Sequence, residues 1–335
     1  MSQASLDRVL AVLVVAVAAT GWLTLRAGAP QVGWIFTLHG IVAGVLAIAV
    51  VAKLQRSVPK AAAARRFGRL VLGLVVGLAT TVALTGGFLW VASGQLLSLG
   101  PWTVMTLHAW VGLVLVPLVV VHLMPRRWRL LRPGPSALAG AGRWLSRRSL
   151  LAAGGLAVAG LGLFGAVNIL DRLRGGERRF TGSRWLPAGG IPPATTFYGE
   201  PTPTVDAQQW RILVTGAVAR ERAWTLEELR TIGATELTAV LDCTSGWAIE
   251  TAWRGVALAA LLDAAGVSDR ARTLEVRSVT GWGTALPLDE ARHALLATGV
   301  AGTDLPRPNG GPCRLVVPDR RGLDWVKWVA EIRVS

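Results

Sequence analysis

Cysteine, tyrosine and methionine are scarce in this chain. Its 335 residues include two cysteines, one tyrosine and three methionines. Two cysteines exclude a disulfide framework of the kind found in small secreted domains, and they exclude a four-cysteine zinc site. Cys243 therefore needs its own explanation, as a buried small residue, half of a disulfide, a nucleophile or a metal ligand.

Charged residues are also few, and the positive ones are almost all arginine. Charged residues make up 16% of the chain and hydrophobic residues 52%, and the net charge is +15. A basic balance often indicates nucleic-acid binding. Here the arginines flank long apolar runs, as they do in membrane proteins. We therefore expect membrane lipid, and no nucleic acid, as a partner.

Long apolar runs are abundant before residue 171. They lie at residues 8–25, 33–53, 69–93, 103–124 and 149–170. Each is close to the ~20 residues that a helix needs to cross a bilayer. The first run is not followed by a small-residue cleavage site, so we interpret it as a helix and not as a signal peptide.

The segments between the runs alternate in charge. Residues 53–69 and 125–148 are strongly basic, whereas residues 26–33 and 93–103 are nearly uncharged. Positive charge marks cytoplasmic loops. The pattern predicts a multi-pass protein of the cytoplasmic membrane with a cytoplasmic amino terminus and everything after residue 171 outside.

A pair of arginines, Arg147 and Arg148, precedes the last apolar run. The arrangement resembles a twin-arginine export signal, which serves proteins that fold before they cross the membrane. The alternative is an ordinary positive stop before a helix.

The composition changes after residue 171. Strand-like runs at 210–216, 273–279 and 313–318 alternate with helix-like stretches at 225–232, 256–266 and 289–299. We predict a multi-domain protein, an all-α transmembrane bundle of about five helices followed by an α+β domain. The predicted parts are a four-helix cytochrome b-like domain (1–125), a basic loop with the fifth helix (126–171), a linker (172–190) and a catalytic domain (191–335).

Three of the four histidines, His39, His108 and His122, lie in the apolar runs. Ionisable groups inside a bilayer are costly and indicate function. His39 and His108 lie a few residues inside the outer ends of two inward-running helices, at matching depth. Two such imidazoles can hold a haem iron axially. The alternative is a histidine bonded to a neighbouring helix.

His122 follows His108 by nearly four helical turns, about 21 Å at ~1.5 Å per residue. This is the spacing of a two-haem stack. However, the position where a second partner should stand, near residue 53, holds Lys53. The sequence therefore favours one haem b, with His122 a weak candidate for a second or a residue at the membrane interface.

A series of motifs in the carboxyl-terminal part is more specific: WRILVTGAV, LDCTSGW, WRGVALAALLDAAG, SVTGWGTALPLDEA and NGGPCRLVVPDRRGLDWVKWVAEI. Their order and spacing resemble the molybdopterin domain of the sulfite oxidase family. They are most similar to the branch of the periplasmic protein-methionine-sulfoxide reductases, over roughly residues 190–335.

The resemblance implies a molybdenum–molybdopterin cofactor with Cys243 as the thiolate ligand of the metal. A soft thiolate suits an ion that a pterin dithiolene already holds. The resemblance also implies a set of cofactor-binding residues: Thr195, Tyr198, Ser278, Asn309, Arg314, Trp325, Val326 and Lys327. Cys313 is interpreted as apolar filler of a strand.

The chain departs from sulfite oxidases proper, which place arginine soon after the metal cysteine. Here Thr244 to Trp247 follow, and Asn309 stands where those enzymes tend to have histidine. We therefore expect a membrane-anchored enzyme that takes electrons from the quinone pool through haem b. Its expected substrate is a small-molecule or protein-side-chain S- or N-oxide. The alternatives are oxidation of sulfite or another small substrate, and a non-catalytic binding protein.

Overall fold

A computed structural model describes residues 3–63, 67–124, 147–195 and 200–335. Its contacts divide the chain into two compact units. The first contains residues 1–24 and 33–182, and the second contains residues 25–32 and 183–335. The basic loop between residues 125 and 146 lies outside the described residues.

The first unit is a bundle of long helices. Five helices in the described ranges are long and apolar enough to cross a membrane. They are α1 (Gln3–Thr24), α2 (Trp34–Ala63), α3 (Phe67–Ala92), α4 (Val104–Leu123) and α5 (Arg147–Leu173). A short hairpin of β1 (Ser98–Leu99) and β2 (Trp102–Thr103) precedes α4. The expected all-α bundle is thus confirmed.

Glycines allow a close approach of α2 and α5. A Cβ atom on Gly44 of α2 would lie 2.5 Å from the carbonyl oxygen of Gly160 of α5. In the other direction, a Cβ atom on Gly160 would lie 2.5 Å from the backbone nitrogen of Val45. Small residues allow such backbone approach in a membrane, where packing and not the hydrophobic effect holds helices together.

The second unit is an α+β domain, as expected, with two sheets around one apolar core. Its strands are β3 (Arg184–Trp185), β4 (Arg211–Gly216), β5 (Arg222–Thr225), β6 (Thr235–Asp242), β7 (Trp247–Ala257), β8 (Thr273–Ser278), β9 (Gly283–Pro287), β10 (Leu295–Val300), β11 (Thr303–Asp304), β12 (Arg314–Val316) and β13 (Val329–Val334). Its helices are α6 (Leu226–Ile232), α7 (Leu258–Ala265) and α8 (Leu288–Ala291).

The two sheets differ in strand order. One has the order β11-β10-β7-β3, with β12 paired to β10 and β6 paired to β7. The other has the order β5-β4-β13-β8-β9, and β13 runs parallel to β4. Local signals set the helix ends: Thr225 and Glu228 form a capping box at the start of α6, and Gly266 ends α7 in a left-handed conformation.

The helix predicted at 289–299 is wrong. Only Leu288–Ala291 is helical, and Leu295–Val300 forms strand β10, which pairs with β7, β11 and β12. Every residue of β10 is buried. A short apolar run that is buried on both faces has no period that separates strand from helix, and the sheet decides its conformation.

Gly255 generates a test of this packing. It lies in β7 opposite Ala297 of β10, and a Cβ atom added to it would lie 2.7 Å from the Cα atom of Ala297. We expect Gly255→Ala to lower the free energy of unfolding of this unit by about 1–3 kcal/mol through overpacking. Urea unfolding followed by tryptophan fluorescence measures the change.

The matched control is Gly190→Ala. A Cβ atom there would lie in ordinary contact, 3.8 Å from Cδ1 of Ile249. It should change the free energy of unfolding by no more than about 0.5 kcal/mol. Equal effects of the two substitutions would contradict the close approach of β7 and β10.

Candidate active site

Cys243 lies in the turn that joins β6 to β7. Its backbone N–H donates to the carbonyl of Trp247 at 2.8 Å, and the N–H of Gly246 donates to the carbonyl of Cys243 at 2.9 Å. Gly246 has φ 92°, a left-handed conformation that favours glycine. The sequence CTSGW therefore encodes a tight turn that presents the thiol at the end of two long strands.

A buried ion pair between Asp242 and Arg321 stabilises this turn. The Arg321 guanidinium donates to Asp242 Oδ1 at 3.2 Å and to the carbonyl of Cys243 at 2.9 Å. Ser183 Oγ donates to the same carboxylate oxygen at 2.6 Å. Asp242 and Arg321 are both buried. The backbone on either side of the metal-ligand candidate is thus fixed by charge-assisted hydrogen bonds.

Cys243 lines a cavity of about 360 Å³ in the second unit. Thr195 Oγ1 lies 3.3 Å from Cys243 Sγ, and the N–H of Ser245 lies 3.4 Å from it. The other lining residues include Glu200, Leu241, Thr244, Trp247, Thr280, Trp282, Arg314, Leu323, Trp325 and Lys327. The thiol therefore lines a partly open cleft of the size that ligand pockets have.

Two cations, Arg314 and Lys327, line the same pocket as the Cys243 thiol. Arg314 is buried, its guanidinium lies 5.5 Å from the Trp253 ring centroid, and it donates to the Asn309 carbonyl at 3.1 Å. Lys327 Nζ donates to the carbonyls of Thr195 at 3.1 Å and Pro308 at 3.0 Å. Both are suited to hold an anionic group.

Burial weakens the proton affinity of both cations. It lowers the pKa of Arg314 to about 10, while the nearby Cys243 opposes the shift. Burial likewise lowers the pKa of Lys327 to about 8, and the charge of Arg314 adds to the effect. Cys243 and Glu200 act in the other direction on Lys327. An anion bound here would offset the cost of keeping two positive charges out of water.

The remaining predicted cofactor residues lie around this pocket or outside the described ranges. Asn309 is buried and its Nδ2 donates to the Pro192 carbonyl at 2.8 Å. Ser278 Oγ accepts from the N–H of Thr280 at 3.2 Å. The amides expected to complete a phosphate cradle, those of Trp325 and Val326, donate within their own turn, to Gly322 at 3.3 Å and to Asp324 at 3.2 Å. Tyr198 lies outside the described residues.

Sequence reasoning missed three residues of the site: Glu200, Thr280 and Arg321. Glu200 lines the pocket and accepts a hydrogen bond from Thr280 Oγ1. The only signal for Thr280 was its place in the SVTGWG motif, beside Ser278. Arg321 was quoted within PDRRG, but nothing in that stretch distinguishes it from Arg320.

The pocket fits a bulky anionic cofactor with hydrogen-bond acceptors. The Nε atom of Arg314 and the indole N–H of Trp247 are buried and have no hydrogen-bond partner among the described residues. Buried donors normally have partners. No cluster of three His, Cys, Asp or Glu side chains in the described ranges could hold a metal. A metal at Cys243 would thus need ligands from a cofactor, as molybdopterin provides.

Both cysteines are free thiols, and only one faces the pocket. Cys313 is fully buried in the core, and burial raises the pKa of its thiol above the usual range. The interpretation of Cys313 as apolar filler agrees with this position.

In the first unit, the structure brings His39 and His108 together. Their ring centroids are 6.1 Å apart and the rings are nearly perpendicular, at 85°. An iron atom between two imidazoles holds their centroids about 6 Å apart, since metal–imidazole bonds are about 2 Å long. The separation therefore fits axial ligation of one haem.

In each of the two histidines, a hydrogen bond at Nδ1 orients the ring and leaves Nε2 as the possible ligand of the iron. His108 Nδ1 lies 2.7 Å from the Ala83 carbonyl, which can only accept, so Nδ1 carries the proton and Nε2 keeps its lone pair. His39 Nδ1 lies 3.0 Å from Thr20 Oγ1, which donates to the Ala16 carbonyl. Gly87 and Gly21 lie beside the two rings and leave space there.

His122 and Lys53 are the residues considered for a second haem. His122 lies against Gly73 of α3, where an added Cβ atom would be 3.8 Å from its ring. Lys53, at the position where a partner was expected, forms an ion pair with Asp7 of α1. The described residues thus offer one histidine pair for haem, and His122 stays a weak candidate ligand.

The chain resembles known oxidoreductases in its carboxyl-terminal half. Residues 199–335 match the family model for the oxidoreductase molybdopterin binding domain. The protein-methionine-sulfoxide reductase catalytic subunit MsrP of Xanthomonas campestris is 33% identical over 148 residues, 39% of this chain and 46% of that protein. MsrP of Gluconobacter oxydans is 29% identical over 237 residues, 62% of this chain and 75% of that protein.

A further relative carries a different name. The putative protein-methionine-sulfoxide reductase subunit YedZ1 of Azospira oryzae is 27% identical over 146 residues, 43% of this chain and 56% of that protein. The chain thus spans about half the length of several of the curated relatives that it matches.

The lowered pKa of Lys327 gives a pH test of the pocket. Its folded pKa of about 8 lies below its ordinary value of 10.5, so between these values the unfolded chain binds more protons. The cofactor-free protein should therefore become more stable as the pH rises through this window. Lys327→Met should remove that rise, as measured by urea unfolding at a series of pH values.

Lys60→Met is the control, because Lys60 is exposed on α2. That variant should keep the wild-type pH dependence. A pH dependence that Lys327→Met leaves intact would contradict the assignment of Lys327 as a desolvated cation.

Proposed function

Because the carboxyl-terminal domain of this chain belongs to the sulfite oxidase family of molybdopterin-dependent oxidoreductases, we propose that the protein reduces S- or N-oxides outside the cytoplasmic membrane. Methionine sulfoxide, free or in a protein side chain, is the preferred substrate. The observation that carries the proposal is the pocket that Cys243 shares with Arg314 and Lys327 and with three tryptophans, Trp247, Trp282 and Trp325.

The protein's residues divide into two groups in this proposal. Arg314, Lys327 and Asn309 would hold the phosphate and pterin of the cofactor, and Cys243 would be the thiolate ligand of the metal. When bound, the molybdenum cofactor supplies two-electron oxygen-atom transfer. The two cations are then neutralised by the cofactor and are not available to bind an anionic substrate.

The substrate side of the pocket suits an uncharged oxide. Thr244, Trp247 and Trp282 line it beside the thiol, and no arginine stands immediately after Cys243. Reduction of a sulfoxide to a sulfide and water consumes two electrons and two protons. Glu200, hydrogen-bonded to Thr280 on the pocket wall, is suited to pass a proton to the departing oxygen.

Electrons would reach the site from the quinone pool through haem b in the helical bundle. The perpendicular pair of His39 and His108 supports this part of the proposal. The similarity to relatives named as a catalytic subunit and as a putative subunit of protein-methionine-sulfoxide reductases also supports it. The alternating charge of the connecting segments supports a cytoplasmic amino terminus and an extracytoplasmic catalytic domain. Export through the twin-arginine-like motif at Arg147 and Arg148 stays a prediction.

A second candidate is oxidation of sulfite or another small anion, with electrons passed to quinone. The pocket holds two cations, Arg314 and Lys327, and this candidate requires that one of them stays free for the substrate anion when the cofactor is bound. The third alternative, a non-catalytic binding protein, loses its support because the domain family is one of oxidoreductases.

Substrate assays on the purified, cofactor-loaded protein separate the first two candidates. We expect turnover of methionine sulfoxide with a dye donor and little oxidation of sulfite. Cys243→Ser should lower the sulfoxide activity by at least about a hundredfold, since even loss of an outer-shell partner of a metal costs 10–100-fold. Cys313→Ala is the matched control and should stay active. Rapid sulfite oxidation without sulfoxide reduction would contradict the preferred substrate.

Histidine variants test the electron path separately. His39→Leu and His108→Leu should each remove the haem b absorption spectrum and the quinol-driven activity. Both should retain the dye-driven activity, because the catalytic domain is unchanged. His293→Leu, at an exposed histidine of the catalytic domain, is the control. Full quinol-driven activity without haem would contradict this path.

A further inference from the structure

Residues 25–32 connect α1 to α2 in the sequence, yet they belong to the second unit with residues 183–335. The segment has no motif of the catalytic domain and is separated from it by more than a hundred residues of chain. It contacts the stretch Asp319 to Asp324 at three of its residues, Arg26, Ala27 and Gly28, and Arg26 also reaches Thr284. This stretch leads directly into Trp325 and Lys327 of the pocket.

The backbone of the segment pairs with residues 320–321, which in turn pair with the residue before Cys243. Ala27 forms an antiparallel bridge with Arg320, and the next residue, Arg321, forms a parallel bridge with Asp242. Asp242 precedes Cys243. Three pieces of chain thus lie side by side, with residues 320–321 in the middle and the Cys243 turn on the far side.

Gly28 makes the approach of this segment tight. A Cβ atom on Gly28 would lie 2.6 Å from both the carbonyl carbon of Arg320 and the carbonyl oxygen of Asp319. Backbone atoms cannot yield as a flexible side chain can. Glycine at this position therefore allows the segment to lie flat against residues 319–321.

A side-chain contact accompanies the backbone contact. Arg26 Nη1 lies 2.7 Å from Asp324 Oδ1, and the Asp324 side chain is completely buried. Thr284 Oγ1 also donates to Oδ1, at 2.8 Å, and Arg320 lies 3.6 Å from Oδ2. Because a buried carboxylate needs a nearby cation, Arg26 and Arg320 supply the positive charge next to the Asp324 carboxylate in the turn before Trp325.

We propose that Arg26 and Gly28 are positioning residues of the active site. They fix the position of residues 319–325, so that Arg321 donates a hydrogen bond to the Cys243 carbonyl and Lys327 lines the pocket. In this proposal residues 25–32, which connect α1 to α2, help to position the active site of the molybdopterin domain. The inference rests on the assignment of the domain and of Cys243, and it is independent of the substrate.

The test measures how fast iodoacetamide alkylates Cys243 in full-length, cofactor-free protein, with the site identified by mass spectrometry. Cys313 is fully buried and serves as an internal reference for global unfolding. Arg26→Ala and Gly28→Ala should each raise the Cys243 rate at least about threefold by local opening of the turn. Neither should change the Cys313 rate. Arg26→Lys should restore most of the wild-type rate.

A double-mutant cycle shows whether Arg26 acts through Asp324. In an Asp324→Asn background the carboxylate charge is absent, so Arg26→Ala should change the Cys243 rate less than about twofold. Gln31→Ala, at an exposed residue of the same segment, is the control and should match the wild type. In the cofactor-loaded protein, Arg26→Ala should also alter the electron paramagnetic resonance spectrum of Mo(V), which senses the thiolate geometry.

Two outcomes would overturn the proposal. Unchanged Cys243 rates in Arg26→Ala and Gly28→Ala would show that the segment does not position the turn. Parallel increases of the Cys243 and Cys313 rates would show a purely global role in stability. Additive effects in the cycle would show that Arg26 does not act through Asp324. If Arg26→Ala does not fold, Gly28→Ala carries the same comparison. Failure of the proposed sulfoxide activity would leave these alkylation rates unaffected.

Discussion

Arg321 and Asp242 form an ion pair in the interior of the catalytic domain, and the geometry around Cys243 is attached to it. Asp242 precedes the thiol in the chain, while Arg321 also binds the carbonyl of Cys243. Removing one member would leave a buried charge without compensation, which typically costs 3–5 kcal/mol. A less costly apolar pair could fill the same volume, but it would not fix the direction of the carbonyl. The ion pair is thus less stabilising than an apolar pair could be, but it fixes the position of Cys243.

The pocket carries a second electrostatic cost, which the cofactor would relieve. Arg314 and Lys327 are both desolvated, and burial lowers the pKa of each. The interaction with Cys243 opposes the shift in both cases. A site that holds two such cations around one thiol is poorly stable when empty and is stabilised by a large anion with several acceptors. Binding energy and folding energy are therefore coupled here.

The sequence predicted what depends on local pattern. The five helices follow from run length and hydropathy. The family resemblance singled out Cys243, Arg314 and Lys327, which line one pocket in the structure, and their roles toward the cofactor stay predictions. The error at 289–299 arose because Leu295–Val300 is buried on both faces and has no period. The segment 25–32 and Arg321 were out of reach, because their roles depend on contacts between residues far apart in the chain.

The scarcity of cysteine and histidine follows from how each is held. Cys243 sits in a four-residue turn whose direction is set by Gly246 and by Arg321, so a single thiol suffices when the cofactor brings the other ligands. His39 and His108 lie on α2 and α4, and each ring is oriented by a hydrogen bond to a neighbouring helix, from His39 to the Thr20 hydroxyl and from His108 to the Ala83 carbonyl. A second thiol near the first would invite a disulfide and remove the metal ligand. Burying Cys313 in the core, away from the pocket, avoids that competition.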